Sequence, residues 1–262
     1  MSDPLISIIT VSRNSAATIS DTIDSVLGQT YPHIEYIVID GASTDGTIEI
    51  VKSYGSEISK FLTEPDSGIY DAINKGIAIS TGDIVGIVNS DDVFYDRQVI
   101  AKVAVSFMEN DIDAVYGDAI FVSPENTSRI VRYYSSGAFR PGRFRFGFMP
   151  AHPSFYVKRI FFEKLGYYKT DYKIAADFEL LLRFICVNNL RCKYIEMPFV
   201  SMRRGGVSNK SLKSNITLNR EILRACRKNG LRTGYFFIYL KYFFKIFEFL
   251  GGSRKHDKIA SR

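Results

Sequence analysis

Two adjacent acids, Asp91 and Asp92, close the segment GDIVGIVNSDD, and their position calls for a chemical reason. The residues before them, Ile84 to Val88, read as a strand passing through a core, so the acids stand where that strand leaves apolar surroundings. Adjacent carboxylates repel, and keeping both ionised beside a low-dielectric interior is costly without a counter-charge. A hard divalent cation supplies one, because Mg2+ characteristically binds one or two carboxylates together with substrate phosphates. The plain alternative is a helix start, since SDD before VFYDRQVIAKVAVSF would also cap a helix. A third acid, Asp40 in DGASTDGT, ends another apolar run, and Ser12, Arg13 and Asn14 follow a third.

The elements that must carry these residues alternate. LISIITV (5–11) and IEYIVI (34–39) are short Ile- and Val-rich runs of the kind that form buried parallel strands. Between them Ile19, Ile23, Val26 and Leu27 recur at helical spacing after Ser15, giving a strand–helix–strand unit. The pattern predicts further helices at about 45–54 and 70–80, a strand at 84–88 and another at 114–118. An α/β fold follows, with a mostly parallel sheet covered by helices on both faces. Ligands of such sheets lie outside the carboxyl ends of the strands, which is where the polar residues converge. No G-x-G-x-x-G follows the first strand and no G-x-x-x-x-G-K-[ST] occurs, so dinucleotide and P-loop sites are unsupported. DGASTDGT ends like a haloacid-dehalogenase phosphatase motif, but Ser43 stands where the nucleophilic Asp belongs. It fails as an EF-hand loop because Ala42 and Thr44 occupy ligand positions.

A chain of 262 residues with 46% hydrophobic content can bury one large α/β core, alone or with an appendage. Cys186, Cys192 and Cys226 have no CxxC spacing and an odd count, which reads as reduced thiols of a cytosolic protein without a zinc site. The start, MSDPLISIITV, lacks the basic n-region of a signal peptide, and no run of 18 apolar residues predicts a membrane span. The net charge of +6 hides an asymmetry: residues 1–200 hold 19 Lys+Arg against 25 Asp+Glu, and residues 201–262 hold 15 against 3. The basic character belongs to the tail and points to an anionic partner there.

Taken together, ISIITVSRN, YIVIDGASTDGTIEIV and GDIVGIVNSDD resemble the GT-A fold glycosyltransferases of family 2, over roughly residues 4 to 205. EPDSGIYDAINKGI (64–77) and HPSFYVKRIFFEKLGYYKTDYKIAADFELLLR (152–183) resemble a branch of that family that builds bacterial surface polysaccharide of the colanic acid, O-antigen or capsule type. The resemblance implies inverting transfer of a sugar from a nucleotide-sugar donor, with Mn2+ or Mg2+ as cofactor. By similarity the donor site takes in Thr10, along base and ribose, with Ser12, Asn14 and Asn74. Asp40 would accept from the base imide, favouring a UDP- or dTDP-linked donor. Asp91 would approach the ribose or metal, Asp92 would ligate the metal, and the catalytic acid falls on Asp177. His152 is a candidate for the acceptor site, with a purely structural imidazole as the alternative. Two departures stand out: the common DSDD is NSDD here, and the common Glu-Asp pair is Ala176-Asp177. The family's frequent Arg is Ile73, leaving Lys75 as a neighbouring pyrophosphate candidate. The chain has no tryptophan, so the Gln-x-x-Arg-Trp motif is absent and the resemblance points to a non-processive enzyme.

Independently of the resemblance, Asp177 opens a helix anchored by Phe178, Leu181, Leu182 and Ile185, where it could serve as a general base or merely cap. The expected organisation is a catalytic domain over 1–205, with a nucleotide-sugar half (1–95) and an acceptor half (96–205), then a basic helical region over 206–262. YFFIYLKYFFKIFEFL (235–250) would span about 24 Å as a helix, short of a bilayer core of about 30 Å. With its flanking cations, 235–258 reads as an interfacial helix on an anionic membrane. The alternative is packing on the domain or in an oligomer interface. The expected location is the inner face of the cytoplasmic membrane, with a lipid-linked glycan as acceptor. No nucleic-acid partner is expected, for want of a recognised module. The rival readings are a sugar nucleotidylyltransferase, whose Gly-rich Arg-containing loop VSRNSAAT does not supply, and an inactive nucleotide-sugar-binding scaffold.

Overall fold

The two-residue period of a strand decides how the first element is used. In β1 (Ile6–Ser12), Ile6 and Ile8 look to one side of the sheet and Ile9 and Val11 to the other, so the strand is buried along its whole length. The structure, a computed structural model, describes residues 3–123, 126–203 and 212–240. After β1 come α1 (Ile19–Leu27), β2 (Ile34–Asp40), α2 (Thr47–Ser53), β3 (Lys60–Thr63), α3 (Ile69–Ile79) and β4 (Ile84–Ile87). The four strands run parallel in the order β3-β2-β1-β4. Ile19, Ile23 and Val26 of α1 cover the Ile6 face, whereas Ala72, Ile73 and Ile77 of α3 cover the Ile9 face.

The second half enters the same sheet. It comprises β5 (Asp92–Phe94), α4 (Val99–Glu109), β6 (Ala114–Val122), β7 (Ile130–Tyr134), β8 (Tyr156–Lys158), α5 (Ile160–Leu165), α6 (Ala176–Leu181), β9 (Cys192–Arg203) and α7 (Leu212–Lys228). The full order is β3-β2-β1-β4-β8-β6-β9-β5, with β7 on β6. Here β8 is antiparallel to both neighbours, β6 and β9 are parallel, and β5 and β7 add antiparallel edges. Gly86 is a packing requirement: a Cβ there would lie 2.0 Å from the Tyr156 ring, which occupies the space beside β4.

The alternative of a helix cap at Asp91 and Asp92 is not what forms: Asp92 opens β5 opposite Met202 of β9, and α4 begins only at Val99. The strand expected at 114–118 continues to Val122 because its far half pairs with β7 and β9. The described part of the helical region expected over 206–262 packs on the domain before it. Ile222, Leu223, Ala225 and Cys226 of α7 lie in one apolar cluster with Phe178, Leu181 and Phe184.

Candidate active site

The loops after β1, β2 and β4 are sewn together by short polar side chains. Asn14 and Ala42 both take left-handed backbone, with φ of 51° and 56°. Asn14 accepts from Thr44 N–H at 2.9 Å and donates its own N–H to Ser43 Oγ at 2.8 Å. Ser15 bonds the Thr47 hydroxyl through its N–H and the Ser90 hydroxyl through its Oγ, each at 2.8 Å. Asp45 gathers Ala16 N–H at 3.0 Å and both donors of Thr47. These contacts close the rim at the carboxyl ends of β1, β2 and β4.

The rim is not populated as expected throughout. Asp40 is wholly buried and accepts four hydrogen bonds: from Ser43 N–H at 2.9 Å and from the hydroxyls of Ser43, Ser12 and Thr63 at 2.5, 3.1 and 2.9 Å. All of its hydrogen bonds are made within the rim, three of them by rotatable hydroxyls, so a base imide would reach Asp40 only by displacing one of these donors. Thr10 is also wholly buried and accepts from the Tyr36 hydroxyl at 3.1 Å. Strand period explains it: residue 10 shares the face of Ile6 and Ile8, which looks into the core under α1. Asn74 ties α3 to Tyr168, donating to its carbonyl and accepting from its N–H, each at 2.9 Å. Lys75 is taken by Glu64 at 2.8 Å and Asp71 at 3.6 Å. Arg13 and Asn14, by contrast, are exposed on the rim.

Asp91 is half-buried and Asp92 is 2% exposed. Burial, followed by the charge of Asp91, pushes the Asp92 carboxyl well above the usual carboxylate range. The Asn89 amide, donating to its Oδ2 at 3.0 Å, and the nearby Arg203 oppose that push without cancelling it. Arg203 is itself paired with Asp21. A buried carboxylate beside a second acid, with its charge only partly compensated, fits a hard divalent cation. No three His, Cys, Asp or Glu side chains among the described residues form a metal cage, so substrate phosphates and water would complete such a shell.

Asp177 sits in the first turn of α6, its side chain 12% exposed. Its Oδ1 accepts Phe178 N–H at 2.7 Å, and its Oδ2 lies 3.2 Å from His152 Nδ1. Burial raises its carboxyl above the ordinary value; His152 and the Phe178 N–H oppose this, and Glu221 adds to it. Phe178, Leu181, Leu182 and Ile185 are all buried, as the helical spacing predicts. The Tyr70 hydroxyl, from the first turn of α3, donates to Ile174 O at 2.6 Å just before α6. The same α3 entrance carries Asp66, whose carboxylate overlies Gly41 so closely that a Cβ there would lie 2.2 Å from Oδ2. From one helix entrance, then, Asp66 meets the end of β2 at Gly41 and Tyr70 holds the loop that leads to Asp177.

Sequence reasoning assigned no role to several residues of this edge. Tyr70 and Tyr168 stack 5.8 Å apart beside Asp177, yet lie in segments quoted only for their resemblance. Arg203 had a signal, the basic pair closing VSMRR, but nothing tied it to Asp92 across β9 and β5. Glu221 had none. From α7 it accepts the N–H groups of Lys173, Ile174 and Ala175 at 2.8–3.0 Å, holding the loop that enters α6.

Beyond α7, Thr233 donates to Arg145 O and the Arg145 guanidinium lies over the Phe237 ring at 4.5 Å. Ile238 is wholly buried, whereas Tyr235, Phe236 and Tyr239 are 47%, 73% and 50% exposed. The first helical residues of the aromatic tail, 235–240, therefore bury Ile238 against the domain and expose Tyr235 and Phe236 among the described residues. The remainder of 235–258, with Lys241, Lys245 and Glu248, lies outside the described residues. No helix among the described residues is long and apolar enough to cross a membrane.

Comparison with known proteins gives a consistent result. The family profile described as Glycosyl transferase family 2 matches residues 7–168. A PGL/p-HBAD biosynthesis glycosyltransferase of Mycobacterium tuberculosis is 30% identical over 214 residues, covering 80% of this chain and 81% of that protein. Among solved structures, S. aureus TarS 1-349 in complex with UDP-GlcNAc superposes with a TM-score of 0.65 at 18% identity, over 84% of this chain and 66% of that one. A mannosyltransferase from Pyrobaculum calidifontis in complex with GDP-Man and Mn2+ gives 0.63 at 22%, over 87% and 64%. The chain thus spans slightly less than two thirds of each of these structures, and 38% of the longer TarS chain. Their shared architecture is the GT-A fold.

Proposed function

This chain belongs to glycosyl transferase family 2 and is a glycosyltransferase, and from that premise we propose an inverting, metal-dependent, non-processive enzyme acting on a nucleoside-diphosphate sugar. The observation that carries the reading is two centres of buried acids, Asp92 beside Asp91 where β5 begins and Asp177 in the first turn of α6. Asp91 and Asp92 suit a cation and a diphosphate, and Asp177 suits proton removal. The acceptor hydroxyl attacks the anomeric carbon from the Asp177 side, its proton passes to that centre, and the bond to the diphosphate breaks. Asp92, with Asp91, would hold Mn2+ or Mg2+, which when bound supplies positive charge beside the leaving diphosphate. Asn14 and Arg13 offer exposed polar contacts to the nucleotide, with Ser12, Asp40 and Thr10 shaping the floor and Asn74 fixing the Tyr168 loop above it. UDP- or dTDP-linked sugars are the donors to try first, on the resemblance of the three motifs. Solved relatives bound to UDP-GlcNAc and GDP-Man support the donor class.

The acceptor proposed is a lipid-linked glycan of bacterial surface polysaccharide. The exposed rings of Tyr235 and Phe236, ahead of a strongly basic segment, support a station on an anionic membrane surface. The test is calorimetric titration of UDP into the protein with Mn2+, then with EDTA, beside Asp92→Ala. Binding that requires metal and weakens by about 10- to 100-fold in the variant is the expected result. Equal binding under all conditions removes the metal assignment; absence of binding to UDP, dTDP and GDP alike removes the donor reading.

A further inference from the structure

The segment RPGRFRFGF (140–148) takes no part in the transfer step, yet it gathers three arginines at one short turn. Arg140 precedes the 3-10 turn Pro141–Phe146, Arg143 and Arg145 lie within it, and all three are exposed. No acid occurs anywhere between Ser135 and Pro150. Phe144, between two of these arginines, is instead wholly buried and meets Phe139 at 5.1 Å and Phe178 at 5.4 Å, both edge-on. The turn is thus cationic outside and apolar inside, and its inner side rests on the residue that follows Asp177.

The same turn carries the start of the aromatic tail. The Thr233 hydroxyl donates to Arg145 O, the Arg145 guanidinium lies 4.5 Å from the Phe237 ring, and the Phe146 and Phe237 rings meet edge-on at 5.7 Å. Beside these contacts Tyr235 and Phe236 are 47% and 73% exposed, and Arg232 is exposed just before them. Residues 227–240 also contain no acid. Cations and open rings on one surface match the boundary between headgroups and acyl chains of an anionic bilayer, the rings entering it and the guanidinium groups meeting the headgroups. The sequence that follows, LKYFFKIFEFL, is apolar but for Lys241, Lys245 and Glu248, a composition suited to an interface and not to a nucleic-acid arm.

Resting on the membrane station proposed above, we propose that the 140–148 turn is a second contact of this chain with an anionic phospholipid surface, its three arginines meeting headgroups beside Tyr235 and Phe236. Because Phe144 packs the turn onto α6, this contact sets the distance between Asp177 and a bilayer that holds the acceptor's lipid. Each arginine at such a surface strengthens binding about five-fold, so three supply about a hundred-fold. That is an increment on the apolar anchorage of the tail and not a replacement for it. Being electrostatic, it shrinks as salt rises.

Two measurements on the full chain test this. The first is sedimentation with vesicles of phosphatidylglycerol and phosphatidylcholine in equal parts, and with phosphatidylcholine alone. Arg140→Gln with Arg143→Gln leaves the contacts to Thr233 and Phe237 in place. The pair should weaken binding to the anionic vesicles by about 25-fold and leave binding to the neutral ones unchanged. A double variant that binds anionic vesicles like the native protein overturns the inference and leaves the tail as the anchor. An equal loss on neutral vesicles also overturns it, since no charge acts there. The second measurement uses the absence of tryptophan from the chain. A Cβ at Gly142 would meet nothing within 4 Å, so Gly142→Trp adds one reporter to the exposed turn. Its emission should move to shorter wavelength with anionic vesicles and be quenched when their phosphatidylcholine is brominated. Emission unchanged by vesicles that sediment the protein overturns the inference, even where the arginine variants misfold. A shift given by single-stranded DNA and not by vesicles assigns the surface to nucleic acid and overturns it too. Native protein that sediments with neither vesicle refutes the membrane station itself, and this contact with it.

Discussion

Asp92 and Asp177 are both buried acids with raised carboxyls, but they are raised by different neighbours and fail differently. Asp92 is opposed by Asp91, so a cation relieves it; Asp177 has the His152 imidazole 3.2 Å away, which offsets part of the cost of its burial. Substitution should separate them. Asp177→Asn should leave the nucleotide Kd unchanged and lower kcat by about 10²–10⁴-fold, because the amide keeps the shape and loses the charge. Asp92→Asn should lose the rise in Tm that Mn2+ gives the native protein, checked by thermal unfolding with and without metal. A native-like Mn2+ response in that variant would place the ion elsewhere.

At the scale of elements, α6 depends on a helix far from it in sequence. Its N-cap, Ala175, supplies no side-chain hydrogen bond, and Glu221 of α7 does that work for the preceding loop. Glu221→Ala leaves three N–H groups without their acceptor and should cost about 2–3 kcal/mol in urea unfolding. It should also lower kcat more than it weakens nucleotide binding, since it loosens Asp177 and not Asp92. The loop after β2 carries the opposite case. Ala42 holds φ of 56°, a conformation that costs a residue with a Cβ about 1–2 kcal/mol. Ala42→Gly should therefore stabilise by roughly 0.5–1 kcal/mol after the added unfolded-state entropy of glycine; a destabilised variant would show that the methyl group packs usefully.

The whole sheet is tied at its other end by Glu35, whose side chain is 8% exposed. Burial would raise this carboxyl, but the Lys60 ammonium at 2.6 Å and hydrogen bonds from Ser7 and Thr81 outweigh it and hold it at about 2, against 4.5 for the free group. A depressed carboxyl contributes stability that is fully present above its unfolded-chain value and lost as pH falls from about 4.5 through about 2. Glu35→Gln should lower stability at neutral pH by on the order of 2–3 kcal/mol and flatten the acid limb of the stability profile. At the tail, truncation before Tyr235 should abolish sedimentation with anionic vesicles; a truncated protein that still sediments places the membrane contact on the domain instead.

The alternation of apolar runs was enough to determine the α/β architecture, both faces of β1 and β2, and the buried face of α6, because strand and helix periods are local properties. The same local order marked the acids at the strand ends, and the three motifs together led to the family. What it left open was where each side chain ends up. Asp40, Thr10 and Asn74 carry polar groups that the family resemblance assigns to a donor, and neighbours 3 to 94 residues away also bond those groups. The pairing of His152 with Asp177, the hold of Glu221 on residues 173–175 and the approach of Arg203 to Asp92 are likewise contacts between distant segments. Such contacts exist only once the sheet brings β4, β6, β9 and α7 together, since no periodicity along a chain records which strand will lie beside which.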